Sequence, residues 1–158
     1  MSALDVVRID FGSPRYEATF RLRKRVLLDP FAIHYSEEAQ RAEDVAFHFG
    51  VFSRLDSASL EREEECLACA FLVALDERTL RMRQVAVDFA RQKSGLGRRV
   101  VAAVEDFGAR QGFTKMVAHA RQSAVPFYEQ LGYDVVGEPF VEVGLPHRLV
   151  EKSLVRGI

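Results

Sequence analysis

Residues Arg83 to Val101 read RQVAVDFARQKSGLGRRVV. A short apolar stretch around Val85 and Val87 runs into a polar turn. Two glycines, Gly95 and Gly97, then stand one residue apart where an apolar pattern of helical period begins. The order is strand, glycine-bearing loop, helix. Arg91, Lys93, Arg98 and Arg99 crowd the start of that helix with no acidic residue between them. A helix N-terminus already carries partial positive charge, so cations there are mildly unfavourable unless an anion lies among them. The loop reads as an anion site.

The bulk composition limits which anion. The chain has 158 residues, enough for one domain spanning 1–158, and is 48% hydrophobic and 28% charged. Such a length buries roughly 70% of the unfolded surface in one core. Its 22 Lys and Arg stand against 23 Asp and Glu, and the sequence pI is near 6.4. A general nucleic-acid binder shows a basic excess, so the local cluster points to a small anionic ligand. MSALDVVRIDFG has neither a charged leader nor a long apolar run, and no segment approaches the roughly 20 apolar residues of a membrane span. A cytoplasmic protein, bound to neither nucleic acid nor membrane, is expected.

Outward from the loop, Val6–Phe11 is expected as a first strand. Ser13-Pro14 opens a helix with apolar Tyr16, Phe20 and Leu27 among basic Arg21, Arg23, Lys24 and Arg25, and Leu28-Asp29-Pro30 stops it. A short helix or loop around Ser36–Ala42 precedes a strand over Val45–Phe52. The polar run SRLDSASLEREEE then leads to a strand over Cys66–Leu75, a hairpin with a long connection whose acidic end, Glu61–Glu65, reads as a solvated loop. The next strand, Thr79–Asp88, is irregular. Its apolar residues fall at Leu80 and Met82, then at Val85 and Val87, so the alternation changes parity. An inserted residue at a β-bulge does this; burial on both faces is the alternative. A helix over Gly95–Gly112 presents Leu96, Val100, Val104 and Phe107 on one face. Lys115–Ala120 is a strand, and Ser123 caps a helix running through Leu131. Tyr133–Val136 and Pro146–Leu154 close the chain as strands. The pattern is α/β, built on a mixed sheet.

Cys66 and Cys69 make a CxxC. On a strand, residues three apart point to opposite faces, so packing is expected rather than a disulfide or a shared metal. The histidines do not recur at metal-ligand spacing, and no catalytic metal is expected.

Known glycine-rich loops narrow the choice. A P-loop, GxxxxGK[ST], fits nowhere. The dinucleotide fingerprint GxGxxG fails at Val100, which stands where its third glycine should be. What remains is Gln92-x-x-Gly95-x-Gly97 after an irregular strand. This resembles the pyrophosphate signature (Q/R)xxGx(G/A) of the GNAT superfamily of N-acetyltransferases. Downstream, Ala124-Val125-Pro126-Phe127-Tyr128-Glu129-Gln130-Leu131-Gly132-Tyr133 is similar to that family's AxxFYxxxGF/Y element. The resemblance covers roughly Leu67 to Leu154. The ending Glu142–His147, and Leu22–Leu28 near the start, resemble the small bacterial ElaA-like branch. Many members carry Asn three residues before the Ala of the second element; here Arg121 stands there.

The resemblance implies a mixed, mostly antiparallel sheet flanked by helices, with a β-bulge near 80–87. It implies acetyl-CoA as co-substrate and an amine acceptor, small molecule or protein, and leaves a homodimer open. Backbone at Val85, Ala86 and Val87 would hold the pantetheine arm and polarise the thioester. Gln92, Lys93, Ser94, Gly95, Leu96, Gly97 and Arg98 would hold the pyrophosphate, and Arg121 would reach cofactor or substrate. A helix N-terminus with close-approaching glycines suits a diphosphate on physical grounds too. Tyr128 would protonate the leaving thiolate. His147 and Glu142, on the C-terminal hairpin, are the favoured residues on the acceptor side, with Glu43 and Asp44 as further candidates for the base. The alternative is a non-catalytic acyl-CoA-binding or regulatory module of the same fold. A nucleotide-binding module is a more distant reading.

Overall fold

The computed structural model describes residues 4–53 and 64–155. Most of the acidic run before Cys66 lies outside the described residues. Within them, Glu64 forms a two-pronged pair with Arg15, at 2.8 and 2.9 Å. Seven strands form one sheet in the order β1-β2-β3-β4-β5-β7-β6. They are β1 (Val7–Ile9), β2 (Phe47–Phe52), β3 (Cys66–Ala74), β4 (Thr79–Val87), β5 (Lys115–Arg121), β6 (Asp134–Glu142) and β7 (Leu145–Ser153). The helices are α1 (Pro14–Arg23), α2 (Glu37–Arg41), α3 (Leu96–Arg110) and α4 (Val125–Gln130). β4 and β5 run parallel, while β1/β2, β5/β7 and β6/β7 are antiparallel. The mixed sheet with flanking helices is the expected architecture. The chain divides into two compact units, Met1–Phe71 with Gln84–Ala103, and Leu72–Arg83 with Val104–Ile158.

In the first unit, Ile9, Tyr16, Ala18, Leu22, Val26, Phe52, Cys66, Cys69 and Ala86 form a buried cluster. The Ser13 hydroxyl oxygen accepts from the Tyr16 amide at 3.1 Å, capping α1, and Pro14 follows at the first helical position. The expected single helix to Leu28 is three pieces. α1 gives way to a π turn over Lys24–Leu28 and then to a 3-10 turn over Asp29–Phe31, where Pro30 has no amide to continue the ladder. Val45 belongs to a 3-10 turn and is exposed, so β2 begins two residues later than expected.

The cysteines pack as expected, but within one cluster rather than on opposite faces of the strand. Both are free and buried in the same cluster. Cys66 is the first residue of β3, and its thiol reaches the Ala68 carbonyl at 3.1 Å, turned back along the chain rather than held by the pleat. The neighbouring Cys69 and burial push the Cys66 thiol pKa far up.

In the second unit the apolar stripe of α3 is buried at Val104 and Phe107. A Cβ on Gly108 would stand 2.8 Å from Leu80 Cδ1 and 3.2 Å from Leu154 Cδ1, so this glycine lets helix and sheet approach closely. α4 is shorter than expected. Ser123 lies in a 3-10 turn over Gln122–Ala124, and the helix follows Ala124 with no side-chain cap, Pro126 filling its first turn. β6 is longer than expected. It continues past Val136 with a register shift before Phe140, through Gly137 at φ 74° and Pro139. β6 is the sheet's last strand, and an edge tolerates a residue without an amide hydrogen. Val143 and Gly144, at φ 46° and 76°, make the two-residue turn into β7.

Candidate functional site

The first unit carries the glycine loop. Asp88 caps a 3-10 turn over Phe89–Arg91, and its amide is tied to the Leu67 carbonyl at 2.9 Å. The Gln92 side-chain amide donates to the Val87 carbonyl at 3.3 Å, folding the loop back on the strand it leaves. Lys93 and Gly95 take φ of 65° and 89°, and a Cβ on Gly95 would meet nothing within 4 Å. The first bond of the helix is Arg99 N–H to Gly95 O at 3.1 Å, so the amides of Leu96, Gly97 and Arg98 precede the intrahelical ladder. The Ser94 amide is bound within the loop, to the Arg91 carbonyl at 3.2 Å. Arg91, Lys93 and Arg98 are exposed, whereas Arg99 donates to the Leu4 carbonyl. The loop thus presents three backbone donors and three exposed cations, a cradle for a multiply charged anion.

The irregularity in β4 lies at Gln84, whose φ of 50° breaks the extended backbone. Ala86 is buried in the first unit's core while Val85 and Val87 are half-buried, so the alanine packs more deeply than the valines. The Gln84 side-chain oxygen accepts from Arg23 Nη1 at 2.9 Å. Arg23 is fully buried and paired with Glu43 at 2.8 and 3.0 Å, and its guanidinium lies against the rings of Phe20 and Phe71. Glu43 also accepts from the hydroxyls of Tyr16 (2.8 Å) and Tyr35 (2.6 Å). Burial alone would push the Glu43 carboxyl up, but Arg23 and the two hydroxyls hold it below its ordinary value. A buried carboxylate with four donors is a structural anion, so Glu43 is removed as a candidate base.

The second unit carries Tyr128, Glu142, His147 and Arg121. Tyr128 is buried on α4, its ring edge-on to Phe127 and Tyr133 at 5.2 and 5.5 Å. Burial pushes its phenol well above the ordinary value. Glu142 ends β6. His119 Nδ1 lies 2.9 Å from its Oε1, Arg81 Nη2 3.6 Å from the same oxygen, and His147 Nε2 3.6 Å from Oε2. Burial raises the Glu142 carboxyl, but the His119 hydrogen bond and the nearby His119, Arg81 and His147 side chains bring it below its usual range. Arg121, opposite His147 at the end of β5, is half-buried, and burial lowers its guanidinium pKa. Among the described residues no three His, Cys, Asp or Glu side chains converge as a metal site.

A family model described as an acetyltransferase (GNAT) domain matches residues 59–154, more than half of the chain. The chain belongs to the GNAT acetyltransferase family. Among curated relatives of this GNAT protein is the uncharacterised YyaT of Bacillus subtilis, 31% identical over 80 residues. That match spans 51% of this chain and 54% of YyaT, about half the length of each. Escherichia coli ElaA superposes with a TM-score of 0.75 at 16% identity, covering 95% of this chain and 99% of ElaA. An aminoglycoside 6′-N-acetyltransferase complexed with coenzyme A gives 0.74 at 16% identity, covering 98% and 99%. No helix among the described residues of the GNAT chain is long and apolar enough to cross a membrane.

Sequence reasoning missed the burial of Arg23 and did not single out His119 among the four histidines His34, His48, His119 and His147 weighed for the base. Arg23 reads as one of several exposed cations on a basic helix, yet Tyr16, Thr19, Arg23 and Val26 fall at helical spacing and are all buried. That spacing was the available signal. His119 gave none, because its partners Arg81 and Glu142 come from distant strands.

Proposed function

We propose that this GNAT protein is an acetyl-CoA-dependent N-acetyltransferase that moves an acetyl group directly to a primary amine. The observation that carries the proposal is the glycine loop. Three helix-start amides and the exposed side chains of Arg91, Lys93 and Arg98 stand together at the loop whose sequence resembles the family's pyrophosphate signature, which supports a diphosphate there. Coenzyme A is bound in the aminoglycoside enzyme of the same fold, which supports an acyl-CoA here. Gln92 through Arg98 take the pyrophosphate, with Gly95 and Gly97 permitting close approach and Ser94 bracing the loop. The backbone at Val85, Ala86 and Val87 pairs with the pantetheine amides, as a neighbouring strand would, and one amide there polarises the thioester carbonyl. Arg121 contributes a cation to cofactor or substrate.

In this proposal Tyr128 is the general acid for the departing thiolate. Its raised pKa keeps the proton on at any physiological pH but also makes it a weaker acid than a free phenol. Glu142 and His147 serve the acceptor side. Residues 1–158 act as one catalytic domain, no metal takes part, and the free thiols suit a reducing compartment such as the cytoplasm.

Acetyl-CoA should raise the thermal unfolding temperature, because a ligand bound by the folded chain adds RT ln(1 + [L]/Kd) to stability. Dephospho-CoA should raise it less if the cations hold the 3′-phosphate. Gly97→Val should retain the fold and lose the shift, since a branched side chain intrudes where backbone meets phosphate. No shift with any CoA species would refute the cofactor assignment.

A further inference from the structure

Within the second unit, Arg81 of β4, His119 of β5, Glu142 of β6 and His147 of β7 form one polar group, with the ring of Phe140 between the two imidazoles. His119 Nδ1 lies 2.9 Å from both an arginine donor and a carboxylate acceptor, and the carboxylate's need for a proton between the two atoms favours one tautomer. The Glu142 carboxyl is held below its ordinary value, so it is ionised at neutral pH and has no proton to give. Its 2.9 Å approach to His119 Nδ1 therefore favours the proton on Nδ1. Arg81 Nη2, also 2.9 Å from Nδ1, cannot then donate to it, and its charge is balanced by the same carboxylate at 3.6 Å. A neutral His119 with Nδ1 protonated carries its lone pair on Nε2. That nitrogen has no hydrogen-bond partner among the described residues, and the side chain is 30% exposed. Phe140, edge-on at 5.2 Å, holds the other side of the ring.

His147 has the opposite character. Its Nδ1–H donates to the Leu145 carbonyl at 2.8 Å, its Nε2 faces Glu142, and the residue is 3% exposed. Its Nδ1 is engaged, and the buried ring is closed to a substrate. The parallel pairing of β5 with β4 covers Lys115–Ala118, so His119 is the first residue of β5 beyond it.

We propose that His119 Nε2 is the catalytic base that deprotonates the acceptor amine, with Glu142 a positioning residue that fixes the tautomer and stabilises the imidazolium, and with Arg81 and His147 holding Glu142. This rests on the acetyltransferase reading. The acceptor arrives as an ammonium ion. One N–H bond breaks and its proton bonds to Nε2, freeing the nitrogen lone pair. The lone pair attacks the thioester carbon, the C–N bond forms and the C–S bond breaks. The nitrogen loses its second proton as the amide forms, the thiolate gains one, and the imidazolium returns its proton to water. One proton is released per acetyl group transferred. The carboxylate–imidazole pair assigns roles as in other general-base dyads, where the acid orients the ring and stays ionised.

Two measurements on the full chain test this. Long-range 1H–15N NMR, with His119→Gln to assign the signals, should show the neutral form of His119 protonated at Nδ1 and bare at Nε2. Glu142→Gln should shift it towards the Nε2–H form. A wild-type His119 with its proton on Nε2 overturns the inference, whether or not any amine is turned over. Thiol release from acetyl-CoA is then followed with a strongly basic alkylamine and with an arylamine that is already neutral at pH 7. His119→Gln should lower kcat/KM for the alkylamine by about 10²–10⁴-fold while changing the arylamine rate only a few-fold. Equal losses on both amines, or none on the alkylamine, also overturn it. If acetyl-CoA still raises the unfolding temperature in those cases, the transferase reading stands and only the role of His119 falls.

Discussion

Glu43→Gln is the perturbation that tests the buried charge most directly, because it changes one atom and almost no volume. In the native protein the two carboxylate oxygens accept from Tyr16 Oη, Arg23 Nη2, Arg23 Nη1 and Tyr35 Oη at 2.8, 2.8, 3.0 and 2.6 Å. A glutamine keeps one acceptor oxygen and turns an NH2 towards the remaining donors. A tyrosine hydroxyl can rotate to accept from that NH2, but Arg23 cannot, so a donor faces a donor and the guanidinium stays buried without its counter-charge. Removing one partner of a buried ion pair costs about 3–5 kcal/mol. For a chain of this size that lowers Tm by about 6–20 °C. Thermal melts followed by circular dichroism at neutral pH would read it. The effect is also tied to pH. Glu43 is held below its ordinary value, so its contribution is complete above the unfolded carboxyl pKa of about 4.3 and fades as pH falls towards the folded value. The gap between wild type and Glu43→Gln should therefore be widest near neutral pH and narrow below about pH 4.3. A variant melting within about 2 °C of wild type at pH 7 would show that the pair adds nothing net.

Two further outcomes follow from the geometry. Tyr128→Phe should fold and bind acetyl-CoA as wild type does while kcat falls by about 10²–10⁴-fold; because burial raises the phenol, wild type should show no tyrosine-dependent alkaline limb below about pH 10, and an unchanged kcat would reduce Tyr128 to a packed aromatic. Val143 holds a φ of 46° that a β-branched residue adopts only under strain, so Val143→Asn should raise stability by about 0.5–1 kcal/mol in urea unfolding, and a loss of stability would show that its side chain matters more than its backbone.

The residues that made the fold legible act through neighbours in sequence. The stripe Leu96, Val100, Val104 and Phe107 is buried as its spacing demands, and the parity change in β4 marks a real break at Gln84. The glycine loop was readable because its chemistry lies within a few residues. Other features depend on partners far along the chain. Arg23 is buried because Glu43 and Gln84 meet it, and the base–acid geometry at His119 exists only once four strands are assembled. Gly137 and Pro139 look like the end of a strand, and only the position of β6 at the sheet edge lets the strand run through them.

The π turn over Lys24–Leu28 closes on the Asp29 amide and the Lys24 carbonyl, five residues apart, one more than an ordinary helical turn spans. Such a turn stores a single surplus residue without unravelling the helix around it. Its place matters: it begins directly after Arg23 and ends before the proline stop at Asp29–Phe31. Deleting one residue there would restore a plain helical turn and leave everything from Ser13 to Arg23 in phase. The segment leading on to Glu43 would swing by about 100° and shorten by about 1.5 Å. Chain length between the two buried charges is thus adjustable in one-residue steps at this point, and a gap or an extra residue there re-aims the following turn and α2 while the face that carries Arg23 stays where it is.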